Sequence, residues 1–346
     1  MTATTRSTRR RLLAATVATA AAGTLPSGAA RAADPVKLKL ATFEPPQGMV
    51  ISQVLQPFAR DVVAASNGTL QIDVFTGGTL GRNPLTQLKL VTDGIADIAW
   101  IVLPYTPGRF DDSEVVGLPF VTTSSVEAGL ALQRLYQKDV LVGFGDLKML
   151  ALGATPQLAI HSNQPVRLPA DLKGKRVRVS GDHLTKVVQH LGGAVVQLGG
   201  GQIAEGMARG VTDMTLNNWG FVGDFKINEV TTQHLDVPLG AVAVGVVMRK
   251  DRYDALPAPA KAAMERFGGE ALARRLAEGF DRQDREVRER VSKSPKNTVT
   301  AVPPADLEQW KRAVEPVNEA WRTATPRNQR VWAAFRQEVE RIRAGK

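Results

Sequence analysis

The sequence predicts an α/β protein of two lobes with a ligand cleft between them and a helical C-terminal region. Three observations lead there. Short apolar runs alternate with segments of helical apolar spacing, in the order strand–helix–strand–helix–strand. The same order restarts near Met149. From Pro257 onward the pattern is almost wholly helical and rich in charge. Such alternation builds a mainly parallel sheet covered by helices, and ligands bind those sheets outside the carboxyl ends of the strands.

In the first unit, Lys37 and Lys39 alternate with apolar residues, so Val36 onward is a strand ending near Phe43, before the stiff Glu44-Pro45-Pro46. Val50, Val54, Leu55, Phe58 and Val62 keep helical spacing to Ala65, and Asn67-Gly68 stops that helix. Thr69–Phe75 alternates as a second strand, and G-G-T-L-G (Gly77–Gly81) turns the chain. A helix over Leu85–Thr92 ends at Asp93-Gly94. I-A-D-I-A-W-I-V (Ile95–Val102) reads as a strand buried on both faces.

The second unit repeats the grammar. Strands fall at Met149–Ala154, Leu158–Ser162, Arg176–Ser180, Ala194–Leu198 and Val211–Asn217, with helices over Thr185–Leu191 and Ala204–Arg209. Ala241–Lys250 is a further buried strand. A charged helix from Pro259 to about Ser292 is long enough to brace both lobes. A short strand near Val299 and helices around Trp310 and Val331 complete the chain.

Composition narrows the chemistry. The 346 residues are 43% hydrophobic and 23% charged, which suits packed cores. The absence of Cys excludes disulfides, thiolate metal sites and cysteine nucleophiles. Much of the net charge of +10 sits in the first 32 residues. There Arg6 and Arg9–Arg11 precede an Ala-rich apolar run, Leu12–Leu25, and Ala30-Arg31-Ala32 forms a small-x-small cleavage pattern. This is the layout of an export signal, and T-R-R-R-L-L (Thr8–Leu13) fits the twin-arginine type. Its removal takes away five Arg and no acid, halving the net charge and weakening any nucleic-acid reading. The apolar stretch Val237–Met248 is too short and too broken by Pro238, Gly240 and Gly245 to cross a bilayer. A periplasmic protein is expected.

No G-x-S-x-G, H-E-x-x-H or G-x-x-x-x-G-K-[ST] pattern is present. Gly199, Gly201 and Ala204 satisfy G-x-G-x-x-A, but in mid-chain, where a tight turn is the better reading. His161, His183, His190 and His234 have no metal-ligand spacing and are expected on the solvated surface. Neither metal nor cofactor is expected. The informative residues stand at strand ends. Arg178 shares a strand face with Arg176, opposite Val177 and Val179, and a guanidinium aimed into a cleft is the natural bidentate partner of a carboxylate. Surface ion pairing is the alternative. Asn217, Asn218 and Trp219 end another strand, where an amide can orient an anion and an indole can cover it. Trp100 ends the buried strand of the first unit.

These segments resemble the DctP-type periplasmic solute-binding proteins of tripartite ATP-independent periplasmic (TRAP) transporters. The resemblance is carried by L-A-T-F-E-P-P, G-G-T-L-G, V-T-D-G-I-A-D-I-A-W, G-L-P-F (Gly117–Phe120), and above all D-L-K-G-K-R-V-R-V and M-A-R-G-V-T-D-M. It implies the two-lobed periplasmic binding protein fold, closure on an organic carboxylate, and hand-over to integral membrane subunits. The family's carboxylate-gripping arginine falls on Arg178 and its companion amide on Asn217. Positions that mark the sialic-acid-binding branch fall on Gln157, Val102 and near Gly200, none of which keeps that branch's residue type. That implies one gripped carboxylate, a less polar pocket with room near the glycines, and a monocarboxylate with an apolar or aromatic body. Phe43, Trp100, Tyr105 and Trp219 are the expected lining, with Gln157 beside the ligand. The expected division is a signal over 1–32, a first lobe of 33–155 plus 243–283, and a second of 156–242 plus 284–346. A receptor for an ATP-driven importer and an exported enzyme acting on a carboxylate are the alternatives; no nucleophile–base motif favours the latter.

Overall fold

The computed structural model describes residues 34–346, so the expected export signal lies outside the described residues. Within Pro35–Lys346 the strands are β1 (Val36–Ala41), β2 (Leu70–Phe75), β3 (Ile98–Val102), β4 (Leu147–Ala154), β5 (Ala159–Ser162) and β6 (Arg176–Arg178). They continue as β7 (Ala194–Val196), β8 (Met214–Asn217), β9 (Gln233–Asp236), β10 (Ala243–Arg249) and β11 (Thr298–Ala301). They form two sheets, ordered β2-β1-β3-β10-β4 and β11-β9-β5-β8-β6-β7. In β1 the alternation works as expected: Leu38 and Leu40 are buried while Lys37 and Lys39 face solvent.

Each sheet runs mainly parallel with one reversed strand, β10 in the first and β5 in the second. The reason is topological. Most strands end at the cleft, but β5 and β10 begin there, because each has just crossed from the other sheet. Ala159, at the start of β5, pairs with Asn217 at the end of β8. Ala243, at the start of β10, pairs with Ala154 at the end of β4. The two crossovers also bond each other: the Thr155 N–H donates to the Val242 carbonyl (2.9 Å) and the Leu158 N–H to that of Gly240 (2.8 Å).

Helices cover the sheets. A wider-wound turn over Val50–Leu55 runs into α1 (Gln56–Ala65), followed by α2 (Gln87–Thr92) and α3 (Ser125–Gln137). The periodicity argument assigns nothing between Val102 and Met149, yet α3 fills part of that gap. Its signal is an N-cap Ser124 with Glu127 three residues on: the Ser124 hydroxyl accepts the Glu127 N–H (3.1 Å), and the Glu127 carboxylate accepts the N–H of Thr123, one residue before the cap (2.9 Å). The second lobe carries α4 (Asp182–His190), α5 (Ile203–Ala208) and α6 (Trp219–Asp224). After α7 (Lys250–Asp254), the single helix expected from Pro259 to Ser292 is split into α8 (Ala258–Phe267) and α9 (Gly269–Ser292). At the break a side chain on Gly268 would lie 3.0 Å from the Leu150 carbonyl, and Gly269 takes a φ of +58°.

Helix α9 does brace both lobes. Leu272, Leu276 and Phe280 pack into the first core, while Val287 and Val291 pack against Trp219 of the second lobe. Two of its carboxylates cap helices on opposite sides: Asp281 accepts the Ser125 N–H of α3 (2.8 Å), and Asp284 the Gly220 N–H of α6 (2.9 Å). Helix α10 (Pro304–Thr323) sends Trp310 into the second core. Helix α11 (Pro326–Arg343) corrects the expected division, which put 284–346 wholly in the second lobe. Its buried Val331, Phe335 and Val339 pack into the core of the first lobe, because its apolar stripe matches α3 there.

Candidate functional site

Between the carboxyl ends of the two sheets lies a cavity of about 570 Å³, its mouth included. Trp100 and Val102 from β3, Val244 from β10 and Phe280 from α9 give it an apolar wall. The second lobe contributes Arg178 and Ser180 from the end of β6, Asn217 and Asn218 from the end of β8, and Phe221 and Asp224 from α6. Thr155, Leu158 and Val242 of the crossovers close the back.

Strand β6 separates its two arginines. Arg176, at the outer end, forms a solvent-exposed pair with Asp213 (2.6 Å). Arg178, at the cleft end, is only 2% exposed. Its Nε–H donates to the Leu198 carbonyl (3.0 Å), Nη1–H to Asn217 Oδ1 (3.2 Å) and Nη2–H to the Tyr105 hydroxyl (3.0 Å). Every partner is neutral. No carboxylate among the described residues lies within ion-pair reach, and two of the five guanidinium N–H groups have no donor role in these bonds. The Tyr105 bond crosses the cleft, since Tyr105 follows β3 in the first lobe.

Asn217 is held from behind. Its amide donates to Thr215 Oγ1 (2.6 Å), and its backbone carbonyl accepts from His161 Nε2 (3.0 Å). The His161 and His234 rings meet at their Nδ1 atoms (2.8 Å), and His234 Nε2 lies 2.9 Å from Asn297 Oδ1. Burial lowers both imidazoles, His161 to about 3. His161, His183 and His234 are buried rather than solvated as expected, and only His190 is exposed. The difference arises because β5, β9 and the start of α4 are covered on both sides. The turn from Arg178 into α4 is gripped across the cleft by Glu114, which accepts the His183 N–H (3.3 Å). Burial pushes that carboxyl up to about 7.

A second polar pole sits in the same cavity. Glu44, 6% exposed, accepts the Trp100 indole N–H at Oε1 (3.1 Å). Asp224, of the other lobe, accepts the Gln283 amide (2.9 Å). Burial raises Glu44 to about 8, with Asp224 adding to the rise and the Trp100 N–H opposing it. Burial also raises Asp224.

Of the sequence-predicted residues, Arg178, Asn217, Trp100 and Tyr105 meet in the cavity. Phe43, Gln157 and Trp219 lie outside its lining. Phe43 packs against Phe225 in the first core (centroids 6.5 Å apart). Gln157 turns away from the cavity: its amide donates to Thr122 Oγ1 (2.8 Å) and its carbonyl accepts the Gly240 N–H (3.1 Å). Trp219 faces behind the second sheet, its indole donating to Asp236 Oδ1 (2.8 Å) and packing on His161. The room expected near Gly200 is taken: a side chain there would lie 2.7 Å from the Phe221 ring, which stacks on Phe225. Glu44, Phe221, Asp224, Phe280 and Gln283 were not legible as site residues. Only the position of Glu44, directly after a strand end, hinted at the cleft.

The sequence profile of the family described as bacterial extracellular solute-binding protein, family 7 (DctP), matches residues 40–324. The chain belongs to this family. Solved structures of TRAP solute-binding proteins share its fold. One from Rhodoferax ferrireducens T118, in complex with copurified benzoate, superposes with a TM-score of 0.84 at 25% identity, covering 90% of this chain and 100% of that one. A marine metagenome protein specific for aromatic acid ligands, with 3-hydroxybenzoate, gives 0.82 at 25% identity, covering 89% and 98%. In sequence, the family 7 chain is 26% identical over 288 residues to the outer membrane transporter protein TsaT of Comamonas testosteroni, covering 80% of this chain and 82% of TsaT.

Proposed function

We propose that this protein is a periplasmic receptor that closes its two lobes on an organic monocarboxylate with an aromatic or branched body. It then delivers that acid, chemically unchanged, to the integral membrane subunits of a TRAP transporter. One observation carries the reading: Arg178 is a buried cation with neutral partners only, facing a cavity. An isolated charge held out of water is costly unless it meets a counter-charge. A ligand carboxylate supplies that charge, and the unused N–H groups suit its two oxygens.

The surroundings support an apolar body. Trp100, Val102, Phe221, Val244 and Phe280 offer carbon surface, and no second arginine lines the cavity to hold a second carboxylate. The similar proteins that hold benzoate and 3-hydroxybenzoate point the same way. In this reading the lobes are 34–155 with 243–283 and α11, against 156–242 with α10, and the paired crossovers between β4 and β5 and between β9 and β10 act as the hinge. Closure of this kind around a ligand is a recognised domain motion.

The test is a thermal-shift screen of organic acids on the purified protein, followed by calorimetry and recovery of the bound acid by mass spectrometry. Aromatic or branched monocarboxylates should raise the midpoint most and be recovered intact. Hits confined to C4-dicarboxylates or sugar acids would overturn the ligand class, and turnover of a hit would overturn the receptor role.

A further inference from the structure

The cavity contains more polarity than an apolar acid needs. Arg178 explains one pole. Glu44 and Asp224 form another, brought together from different lobes, and nothing in a benzoate-like ligand would use them. The two poles share no hydrogen-bond partner: Arg178 engages Leu198, Asn217 and Tyr105, whereas Glu44 engages Trp100 and Asp224 engages Gln283. Among the described residues, one oxygen of each carboxyl, Glu44 Oε2 and Asp224 Oδ1, receives no donor.

Neither oxygen is sealed from solvent, so each is open to a donor on a molecule held in the cavity. We infer that Glu44, with Asp224, is a specificity-determining residue that hydrogen-bonds a second group on the ligand, a hydroxyl or amino substituent, making the preferred substrates hydroxy- or amino-bearing aromatic acids. This inference rests on Arg178 gripping the carboxylate. A site built to bond such a donor rejects the analogue lacking it, because its own polar groups are then left buried and unpaired. The pair also suits a substituent that both gives and takes a proton. Glu44 is held in its protonated form by burial and by Asp224, so it can donate while Asp224 accepts. Arg290, on α9, counters part of the rise that burial imposes on Asp224.

The experiment is calorimetry on the full-length mature protein. The probes are the 2-, 3- and 4-hydroxybenzoates, the hydroxyphenylacetates and the aminobenzoates, each set against the unsubstituted acid and its methyl isostere. At least one substituted isomer should bind about tenfold or more tighter than both controls. Glu44→Leu should bring that preference to within about twofold while benzoate still binds. Glu44→Gln, which keeps the shape and a polar head, should retain part of the preference and guards against simple misfolding. Equal affinity of substituted and unsubstituted acids, or an undiminished preference in Glu44→Leu, overturns this inference and leaves the carboxylate receptor standing. Failure of every acid to bind the parent protein overturns both.

Discussion

Replacing Arg178 by Ala tests the core of the argument. The side chain is 2% exposed and makes three hydrogen bonds, all to neutral groups. In the empty protein its removal has opposing effects. Three bonds worth about 1 kcal/mol each are lost, but so is a buried cation without a counter-ion, whose effective cost is several kcal/mol. The two nearly cancel, and the unfolding midpoint of the empty protein should move little. With ligand the balance changes. Removing one partner of a buried ion pair costs about 3–5 kcal/mol, which is roughly a hundredfold to several thousandfold in affinity. A ligand held at a hundred times its Kd stabilises the parent by about 2.7 kcal/mol, and that gain should vanish in Arg178→Ala at the same concentration. Arg178→Lys should fall between the two, since a single ammonium cannot present a fork to both carboxylate oxygens. Thermal shift and calorimetry with 3-hydroxybenzoate read the effect. An equal ligand-induced rise in parent and Arg178→Ala would refute the reasoning.

Other outcomes follow from the same geometry. Glu44, Glu114 and Asp284 all have folded-state pKa values raised by burial, to about 8, 7 and 6, so the folded state keeps protons that the unfolded chain releases. Below about pH 6.5 the buried His161, His183 and His234, whose pKa values burial lowers, oppose this trend; stability should therefore fall as pH rises from about 6.5 to about 8, and Glu44→Gln should flatten that fall in a melting-temperature profile; a parent whose stability rises across that window contradicts this. Gly181 takes a φ of +97°, and a side chain there would lie 2.9 Å from Glu114 Oε2. Gly181→Ala should cost about 1–3 kcal/mol in urea unfolding and loosen the turn that follows Arg178; an unchanged midpoint would show that the turn is not held there. Of the five tryptophans only Trp100 lines the cavity, so an aromatic acid should change the protein's fluorescence through that residue. Trp100→Phe should abolish the change, and its persistence would place the ligand elsewhere.

The order of strands and helices was largely legible because it depends on local periodicity. The alternation in Val36–Ala41 and the unbroken apolar run of β3 each appear where expected. Helix α3 also carries a local signal, its Ser124 cap with Glu127 three residues on. The split between α8 and α9 is partly local: a side chain on Gly268 would lie 2.5 Å from the Met264 carbonyl one turn back, and the distant Leu150 carbonyl, at 3.0 Å, adds to the need for glycine. The site divides in the same way. Arg178 and Asn217 could be named because each ends a strand. Trp219 also follows a strand end, yet one step into α6 turns its indole behind the sheet.

From its own order of residues the chain determines two α/β units, a strand-end arginine and a long charged helix, since these follow from spacing along one segment. Tertiary structure alone decides that Arg178 is left without a counter-ion, that α11 returns to the first lobe, and that Glu44 faces Asp224. The physical reason is that charge balance and burial depend on which distant segments come within a few ångströms, and no local pattern encodes that distance.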